Sequence, residues 1–477
     1  MKKGIWQTLA LFVVAAMLLS ACATPATEAP APTEPPAATE PPAATEPPAA
    51  TEAAACPGSS DIVGPSGGFL ERALNCEFAG TTVTVDGTQT DPDDRKMAAG
   101  WAAFEDATGI TVNYVGNKEF EARISIAVDA GQAPDVADFP QPGKVATFVT
   151  QGKIVDVSTF IPNDWLTKQY NQSWLDMATM TGPSGPIAAG VFNRTSVKSL
   201  VWYPKDDFDA AGYKVPETWD ELLALSDQIK ADGDAPWCIG IESQAATGWP
   251  ATDWMEDVML RTTSLENYDA WVAGTLPFSS PEVKNAAETI GAVWFKDGYV
   301  YGGKDAIVST FFGDSPAGLF TNPPNCWLHR QANFITSFFP ADANPGVDYS
   351  FFYLPPIDPQ YGRPVLVAGD MYVMFNDKPE ARALMEYFTL AQSVSGFLTE
   401  GGAFAVQQDA TPEMYAIPLE AAVADVLAKA TSFRFDGSDL MPGEVGAGSF
   451  WKGMTDWASG AADLDTVLTE IDASWPK

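Results

Sequence analysis

The stretch that decides the fold is residues 81–139, TTVTVDGTQTDPDDRKMAAGWAAFEDATGITVNYVGNKEFEARISIAVDAGQAPDVADF. Short β-rich runs at 81–85, 110–115 and 135–139 alternate there with two segments whose apolar residues recur at helical spacing. An order of strand, helix, strand is typical of parallel βαβ units. The stretch therefore predicts an α/β fold.

Local signals around these runs indicate where helices begin. Asp91 is predicted to be the N-cap of the first helix, with Pro92 at the first helical position. Trp101 lies on the apolar stripe of that helix and is predicted to be a core residue. Further along the chain, Thr218 and Glu221 form a T-x-x-E capping box ahead of another amphipathic segment. The rhythm thus recurs, which predicts a second α/β lobe.

The composition excludes several classes of function. The 477 residues carry 27 Lys and Arg against 62 Asp and Glu, a net charge of −35, so nucleic acid is excluded as a partner because its binding needs clustered cations. A single histidine, His329, leaves too few rings for His-based metal sites or for Ser-His and Cys-His catalytic sets. We expect no cofactor and no metal. The length and a hydrophobic content of 46% allow two or three domains.

The first 22 residues are predicted to be a secretory signal. Lys2 and Lys3 precede an apolar run at 9–19 that is too short to cross a bilayer of roughly 30 Å, so a transmembrane helix is the weaker alternative. The ending Leu-Ser-Ala-Cys22 resembles the lipobox of bacterial lipoproteins. By that resemblance Cys22 carries the lipid anchor, the alternative being an ordinary signal peptide.

Residues 23–55 are rich in Pro, Ala, Thr and Glu, and TEPPAA recurs in them every six residues. Such a segment has little to bury and favours an extended chain, so it is predicted to be a disordered tether. Residues 56–80 follow as an N-terminal segment clipped by a disulfide.

Beyond Cys22, four cysteines remain, an even number in an exported chain: Cys56, Cys76, Cys238 and Cys326. Three connectivities are possible. We favour Cys56 with Cys76, which would clip the start of the domain locally, and Cys238 with Cys326. Buried free thiols are the alternative.

Several stretches resemble the extracellular solute-binding proteins of sugar ABC transporters, the group that includes maltose-binding protein and alpha-glucoside-binding lipoproteins. The resemblance covers about 81–477 and is carried by residues 133–136 (APDV), 200–203 (LVWY), 216–222 (PETWDEL), 248–254 (GWPATDW), 325–330 (NCWLHR), 363–370 (RPVLVAGD) and 448–451 (GSFW). It implies the two-lobed periplasmic-binding-protein fold of type II. Lobe one would hold 81–195 and 360–408 and lobe two 196–359 and 409–477, with a hinge between these discontinuous lobes.

Sugar recognition needs flat aromatic faces and side chains that pair with hydroxyls. By the resemblance, Trp451 and Trp327 present stacking rings. Trp249 and Trp254 flank Asp253 at a predicted helix start, where free N–H groups would face a ligand. These five residues are candidate sugar contacts.

Polar candidates follow the predicted strands, where open α/β sheets bind ligands. Gln89 and Asp91 lie after the first strand, and Asp138 and Gln141 lie at the end of the third. Asp91 is better explained as the helix cap.

Two further candidates come from the resemblance, Asp370 in the returning segment and Arg434 in Phe-Arg-Phe. Cleft loops at 139–142 and 248–250 depart from maltose-binding protein, which leaves the sugar undetermined.

The function expected is that of a non-enzymatic, monomeric lipoprotein that captures an α-glucoside or small oligosaccharide. It would deliver this sugar to the transmembrane subunits of an ABC permease, from the extracytoplasmic face of the membrane. One alternative is a secreted glycosidase, because 62 acidic residues must include close pairs. The other is a polyamine- or peptide-binding protein of the same fold.

Overall fold

The structure, a computed structural model, describes residues 61–476. The predicted signal peptide and tether lie outside the described residues, and so do Cys22 and Cys56. Among the residues described, none of the helices has both the length and the apolarity needed to cross a bilayer.

The strands are, in chain order, β1 Thr82–Gly87, β2 Thr111–Gly116, β3 Val136–Phe139, β4 Thr179–Gly182, β5 Gly185–Ala188, β6 Val191–Val197, β7 Leu200–Pro204, β8 Ala235–Trp237, β9 Cys326–Arg330, β10 Tyr349–Tyr353, β11 Pro364–Met374, β12 Phe404–Ala405 and β13 Ser432–Phe435. The α-helices are α1 Phe69–Leu74, α2 Asp93–Thr108, α3 Phe120–Asp129, α4 Pro142–Thr150, α5 Asn163–Gln169, α6 Gln172–Ala178, α7 Lys205–Ala210, α8 Trp219–Asp232, α9 Trp249–Thr262, α10 Leu265–Val272, α11 Pro281–Trp294, α12 Lys304–Ser309, α13 Pro379–Tyr387, α14 Ser395–Glu400, α15 Pro418–Ala428, α16 Gly437–Leu440, α17 Trp451–Ser459 and α18 Leu464–Ala473. Short 3-10 turns lie at Val157–Thr159, Gln244–Ala246, Ser315–Phe320, Asn333–Phe338, Pro359–Tyr361, Ala391–Val394 and Pro412–Met414, and a π-helical turn at Val445–Phe450.

A first sheet has the order β12-β6-β11-β3-β1-β2, with β13 paired to β11. Strand β1 runs parallel to both β2 and β3, which confirms the βαβ units predicted from residues 81–139. Strand β11 runs antiparallel to β3 and β6, so it returns to the sheet from elsewhere in the chain. The carboxyl ends of β1, β2 and β3 lie at one edge of this sheet.

The start of α2 differs from the prediction. The helix begins at Asp93, whose N–H donates to the carbonyl oxygen of Thr90 at 2.9 Å. The predicted cap Asp91 is instead exposed and forms an ion pair with Arg95 at 2.7 Å. A backbone turn therefore opens this helix, and the prediction of Asp91 as its side-chain cap is wrong. Trp101 is 2% exposed, which confirms it as a core residue.

A second sheet has the order β10-β7-β9-β8. The capping box of Thr218 and Glu221 opens α8, as predicted. Cys238 and Cys326 are disulfide-bonded beside this sheet, which confirms that pairing. Cys76 is also disulfide-bonded, but its predicted partner Cys56 lies outside the described residues and that pairing stays a prediction.

The chain passes from the first sheet to the second between β6 and β7, and returns between β10 and β11. These crossings make two lobes, each with its own cluster of buried hydrophobic side chains. Strand β13, which the predicted division assigns to lobe two, pairs with β11 of the first sheet. Phe435 of β13 packs against Trp174 and Phe192 there, whereas the helices after it pack in the second core. The lobe limits stay a prediction.

Helix α1 is held to the first lobe by Glu386 of α13. A carboxylate oxygen of Glu386 accepts the N–H of Leu70 at 2.6 Å, and the carboxylate also accepts the N–H of Phe69. A side chain at Gly68 would meet this carboxylate at 2.6 Å, so glycine is required for the close approach. Glu386 is fully buried, and burial raises its pKa to about 7.

This arrangement predicts a pH dependence of stability. Between about pH 4.5 and pH 7 the folded chain keeps a proton on Glu386 that the unfolded chain has released. The stabilising contribution of that proton is complete below about pH 4.5 and is lost as the pH rises through about 7. We expect Glu386→Gln to reduce the decline of the free energy of unfolding across this window by about 2 kcal/mol. Urea denaturation at several pH values measures it, with exposed Glu400→Gln as control; equal declines in both variants would contradict the prediction.

Candidate functional site

A half-open cavity of about 140 Å³ lies between the two lobes, at the edge where β1, β2 and β3 end. Ligands of open α/β sheets bind in this position. The first lobe lines it with Gln89, Asp93, Lys118, Glu121, Gln141, Arg194 and Asp370. Across from them lie Lys198, Ser243, Trp249, Phe312, Phe334, Phe338, Asp436, Asp439 and Trp451.

Five of the candidates from sequence line this cavity together: Gln89, Gln141, Trp249, Asp370 and Trp451. Trp249 is the first residue of α9, and Trp451 is the first of α17, at the point where the π-helical turn Val445–Phe450 runs into that helix. Gln141 directly precedes α4, and Asp370 lies on β11. That these residues contact a sugar stays a prediction.

Arg194 of β6 is the cation of the first-lobe wall. Its guanidinium lies 2.7 Å from a carboxylate oxygen of Asp138 and 3.2 Å from one of Asp370. Asp138 is fully buried beside Arg194 and does not line the cavity, and its contact with a sugar stays a prediction. Burial raises the pKa of Asp138 to about 7, with Arg194 opposing the rise. Asp138 thus orients Arg194, while Asp370 faces the cavity.

Lys198 holds the corresponding place at the crossing between β6 and β7. Its ammonium lies 2.8 Å from Asp253, pairs with Asp436, and stands 5.5 Å from the centre of the Trp249 ring. Burial lowers the pKa of Lys198, but these two carboxylates outweigh burial and hold the pKa well above its ordinary value. Asp253 is itself buried and also faces Arg330 at 3.5 Å. Asp253 therefore anchors Lys198 and does not line the cavity, and its contact with a sugar stays a prediction.

Two predicted tryptophans lie in the core of the second lobe. Trp254 follows Trp249 by more than one helical turn and packs edge-on against Trp237, with ring centres 5.3 Å apart. Trp327 packs against Tyr213 at 5.0 Å, and its indole N–H donates to Asp234 at 3.1 Å. Both are nearly fully buried, at 3% and 5% exposure, and neither lines the cavity.

Two predicted polar residues also lie away from it. Arg434, on β13, donates to both carboxylate oxygens of Asp269, at 2.5 and 2.8 Å, on the protein surface. Asp91 is turned to solvent by its ion pair with Arg95. Each side chain is satisfied by a neighbouring charge, and neither lines the cavity.

The second-lobe wall is aromatic. Trp249 packs edge-on against Phe312, with ring centres 4.9 Å apart, and lies 5.8 Å from Phe334. Phe338 extends the wall from Phe312 at 5.2 Å. The indole N–H of Trp451 donates to Ser438 at 3.5 Å, which sets the direction of the ring. The wall offers apolar faces suited to the C–H surface of a pyranose.

One end of the cavity carries unpaired acceptors. Glu121 is 7% exposed and Gln141 is 4% exposed. Their side chains share a hydrogen bond of 3.3 Å, yet one oxygen on each has no partner in the described structure. The Lys118 ammonium lies 5.5 Å above the Phe312 ring nearby, and burial lowers its pKa. Buried acceptors without partners are suited to a ligand that brings donors, such as hydroxyls.

The carboxylates of Asp253, Glu256 and Asp436 are close enough to hold a metal ion, within 4.8 Å of one another. The Lys198 ammonium already bonds two of them, so a metal would have to displace it. Burial and the charges of Asp436 and Asp253 raise the pKa of Glu256 well above its ordinary value. Lys198 and Arg330 are the two cations that face the aspartates of this cluster.

Sequence reasoning missed Arg194 and Lys198. Both stand in the run VFNRTSVKSLVWY, 191–203, which is otherwise apolar or small. A cation in such a run must be paired when buried, and that signal could have marked them. No comparable signal distinguishes Phe312, Phe334 and Phe338 among the 27 phenylalanines of the chain.

Comparison with known families agrees with this architecture. The profile of the bacterial extracellular solute-binding proteins matches residues 87–394. This range includes both crossings and most of the cavity wall. The chain therefore belongs to the bacterial extracellular solute-binding protein family.

Two characterised relatives match over most of their length. The osmoprotective compounds-binding protein GgtB of Synechocystis sp. is 46% identical over 395 residues, 83% of this chain and 92% of the relative. The alpha-glucosides-binding periplasmic protein AglE of Rhizobium meliloti is 41% identical over 406 residues, 84% of this chain and 88% of the relative.

Solved structures share the fold at lower identity. The solute receptor AcbH, described as preferring β-D-galactopyranose, has a TM-score of 0.70 at 18% identity, over 83% of this chain and 98% of its own. The maltose-bound MalE3 of T. maritima has a TM-score of 0.63 at 16% identity over the same shares of the two chains. These likenesses establish the two-lobed periplasmic-binding fold.

Proposed function

We propose that this protein is the substrate-binding component of an ABC importer and captures an α-glucoside or a small oligosaccharide in the interlobe cavity. It would hand the sugar to the transmembrane subunits of a permease. The observation that carries the proposal is the opposition of two walls: Trp249 and Trp451 on one side, and Asp370 fixed on Arg194 on the other.

The chemistry of these walls suits a saccharide. An aromatic ring covers the C–H face of a pyranose, while ionised carboxylates accept its O–H groups. Asp370 and Asp436 each lie against a cation, Arg194 and Lys198. AglE is an alpha-glucosides-binding protein, and its 41% identity to this chain supports the same sugar class here.

The other functions expected from sequence fit the cavity less well. A polyamine would meet Lys118, Arg194 and Lys198, which line the same space. A glycosidase is disfavoured by family, because the chain belongs to the bacterial extracellular solute-binding proteins, and Asp370 and Asp436 in the cavity are bound to cations. We therefore propose a non-enzymatic role.

Titration calorimetry of the secreted chain tests the proposal. Maltose, sucrose, trehalose and palatinose form the panel, with spermidine as the polyamine control. Glycine betaine is an osmoprotectant without hydroxyl groups, and it tests the compound class named for GgtB. We expect binding of at least one disaccharide and none of betaine or spermidine. The proposal would be refuted if none of the disaccharides gave heat of binding, or if the chain released nitrophenol from nitrophenyl glucosides.

The membrane attachment is part of the same proposal. We propose that Cys22 is acylated and that the lobes act as a monomer at the extracytoplasmic face. Labelling of the wild type and of Cys22→Ala with a radioactive fatty acid, followed by fractionation, checks this. Label in the variant would contradict it.

A further inference from the structure

A second, larger cavity of about 400 Å³ adjoins the first and opens to solvent. Helices α3 and α4 form one side of it. The other side consists mainly of small residues, Ala245, Gly443, Ala447 and Gly448, whose side chains leave the space unfilled. Glu121 lines both cavities, so this residue is part of the partition between them.

The partition is built from three residues. Gln141 lines the inner cavity and its amide donates to a carboxylate oxygen of Glu121 at 3.3 Å. Lys144 lines the outer cavity and its ammonium donates to the backbone carbonyl of Glu121 at 2.5 Å. Glu121 is thereby fixed from both sides.

This position is unfavourable for a carboxyl group unless a ligand uses it. Glu121 is 7% exposed, and in the described part of the chain its carboxylate has Lys144 and Lys118 as charged neighbours but forms an ion pair with neither. Burial raises its pKa, and its second oxygen has no partner. An unpaired buried acceptor destabilises a fold by about 1–3 kcal/mol, so stability does not explain the residue. A ligand hydroxyl ending at this wall would satisfy both Glu121 and the free oxygen of Gln141.

We propose that Glu121 is a length gate: it terminates the inner cavity and holds the ligand to about disaccharide size, while the outer cavity is a latent subsite for further sugar units. The inference rests on the proposed sugar-binding function. It adds the residue that decides which chain length fits.

Paired ligands on the full secreted chain test the gate. Calorimetry compares maltose with maltotriose, and sucrose with raffinose, which extend a disaccharide by one unit. We expect the wild type to prefer the disaccharides. Glu121→Ala should lower the disaccharide-to-trisaccharide affinity ratio at least tenfold, whereas Glu121→Gln, which keeps the size of the side chain, should leave the ratio within about threefold. Glu119→Ala, an exposed change beside it, is the matched control.

A second variant fills the outer cavity. Ala447→Phe alone should leave disaccharide affinity unchanged, and in the Glu121→Ala background it should restore the preference for the shorter sugar. An unchanged ratio in Glu121→Ala, or an equal shift in Glu121→Gln, would overturn the gate alone. If the wild type binds none of the four sugars, both the proposed function and the gate are overturned. Thermal unfolding of each variant verifies that it is folded.

Discussion

Replacement of Lys198 by methionine is expected to lower the free energy of unfolding by about 4 kcal/mol. Lys198 is 4% exposed and is the ammonium partner of both Asp253 and Asp436. Removing one partner from a buried ion pair destabilises proteins by roughly 3–5 kcal/mol, because the remaining charge stays buried without compensation. Here Asp436 would lose its cation, and Asp253 would keep only Arg330 at 3.5 Å.

Urea denaturation at neutral pH measures this effect. Lys452→Met is the matched control, since Lys452 is exposed and its pairing with Asp456 on α17 contributes little. Adding Asp436→Asn to Lys198→Met should recover part of the loss, because one uncompensated carboxylate is gone. If Lys198→Met lowers the free energy of unfolding by less than about 1 kcal/mol, the prediction is wrong, and other groups neutralise Asp253 and Asp436.

Replacement of Trp249 by alanine is expected to weaken binding of the preferred disaccharide about 100-fold. Its ring is half-buried in the cavity wall, backed by Phe312 and Phe334, and Lys198 stands over it. A ring fixed in this way stacks on a sugar with little loss of freedom, and such aromatic anchors carry most of the binding free energy.

Two further tryptophan variants separate the size of the ring from its position. Trp249→Phe keeps a smaller face and should lose about tenfold, while Trp475→Ala, a partly buried tryptophan beside Gly274 at the C-terminal end, should leave affinity unchanged. Calorimetry with the disaccharide gives all three values. Affinity of Trp249→Ala within about threefold of the wild type would exclude this ring as the stacking face.

The parts of the fold that sequence predicted depend on local interactions. The βαβ order follows from the spacing of apolar residues in 81–139, and the capping box at Thr218 needs only residues three positions apart. The C-terminal helix α18 buries Val467, Leu468 and Ile471, the stripe that its spacing indicates. Each signal lies within a few residues of the feature it fixes.

The site depended on contacts that no local pattern encodes. Arg194 meets Asp138 across 56 positions of sequence, and Lys198 meets Asp436 across 238. Trp327 and Arg434, in contrast, were predicted to contact the sugar but do not line the cavity. The first lies in a strand buried throughout and is enclosed by Tyr213, and the second points outward from β13 to Asp269. The family resemblance marked them as candidates, but only the three-dimensional packing decides what they face.

The ion pair of Lys198 with Asp436 stands on the chain segments that connect the lobes. Lys198 follows β6 and Asp436 follows β13, directly before the chain enters the second core. A rotation about these segments would move the walls of the cavity apart without separating the pair. The empty protein would then already present a preorganised polar floor, and capture of a ligand would lose little free energy to rearrangement of charges.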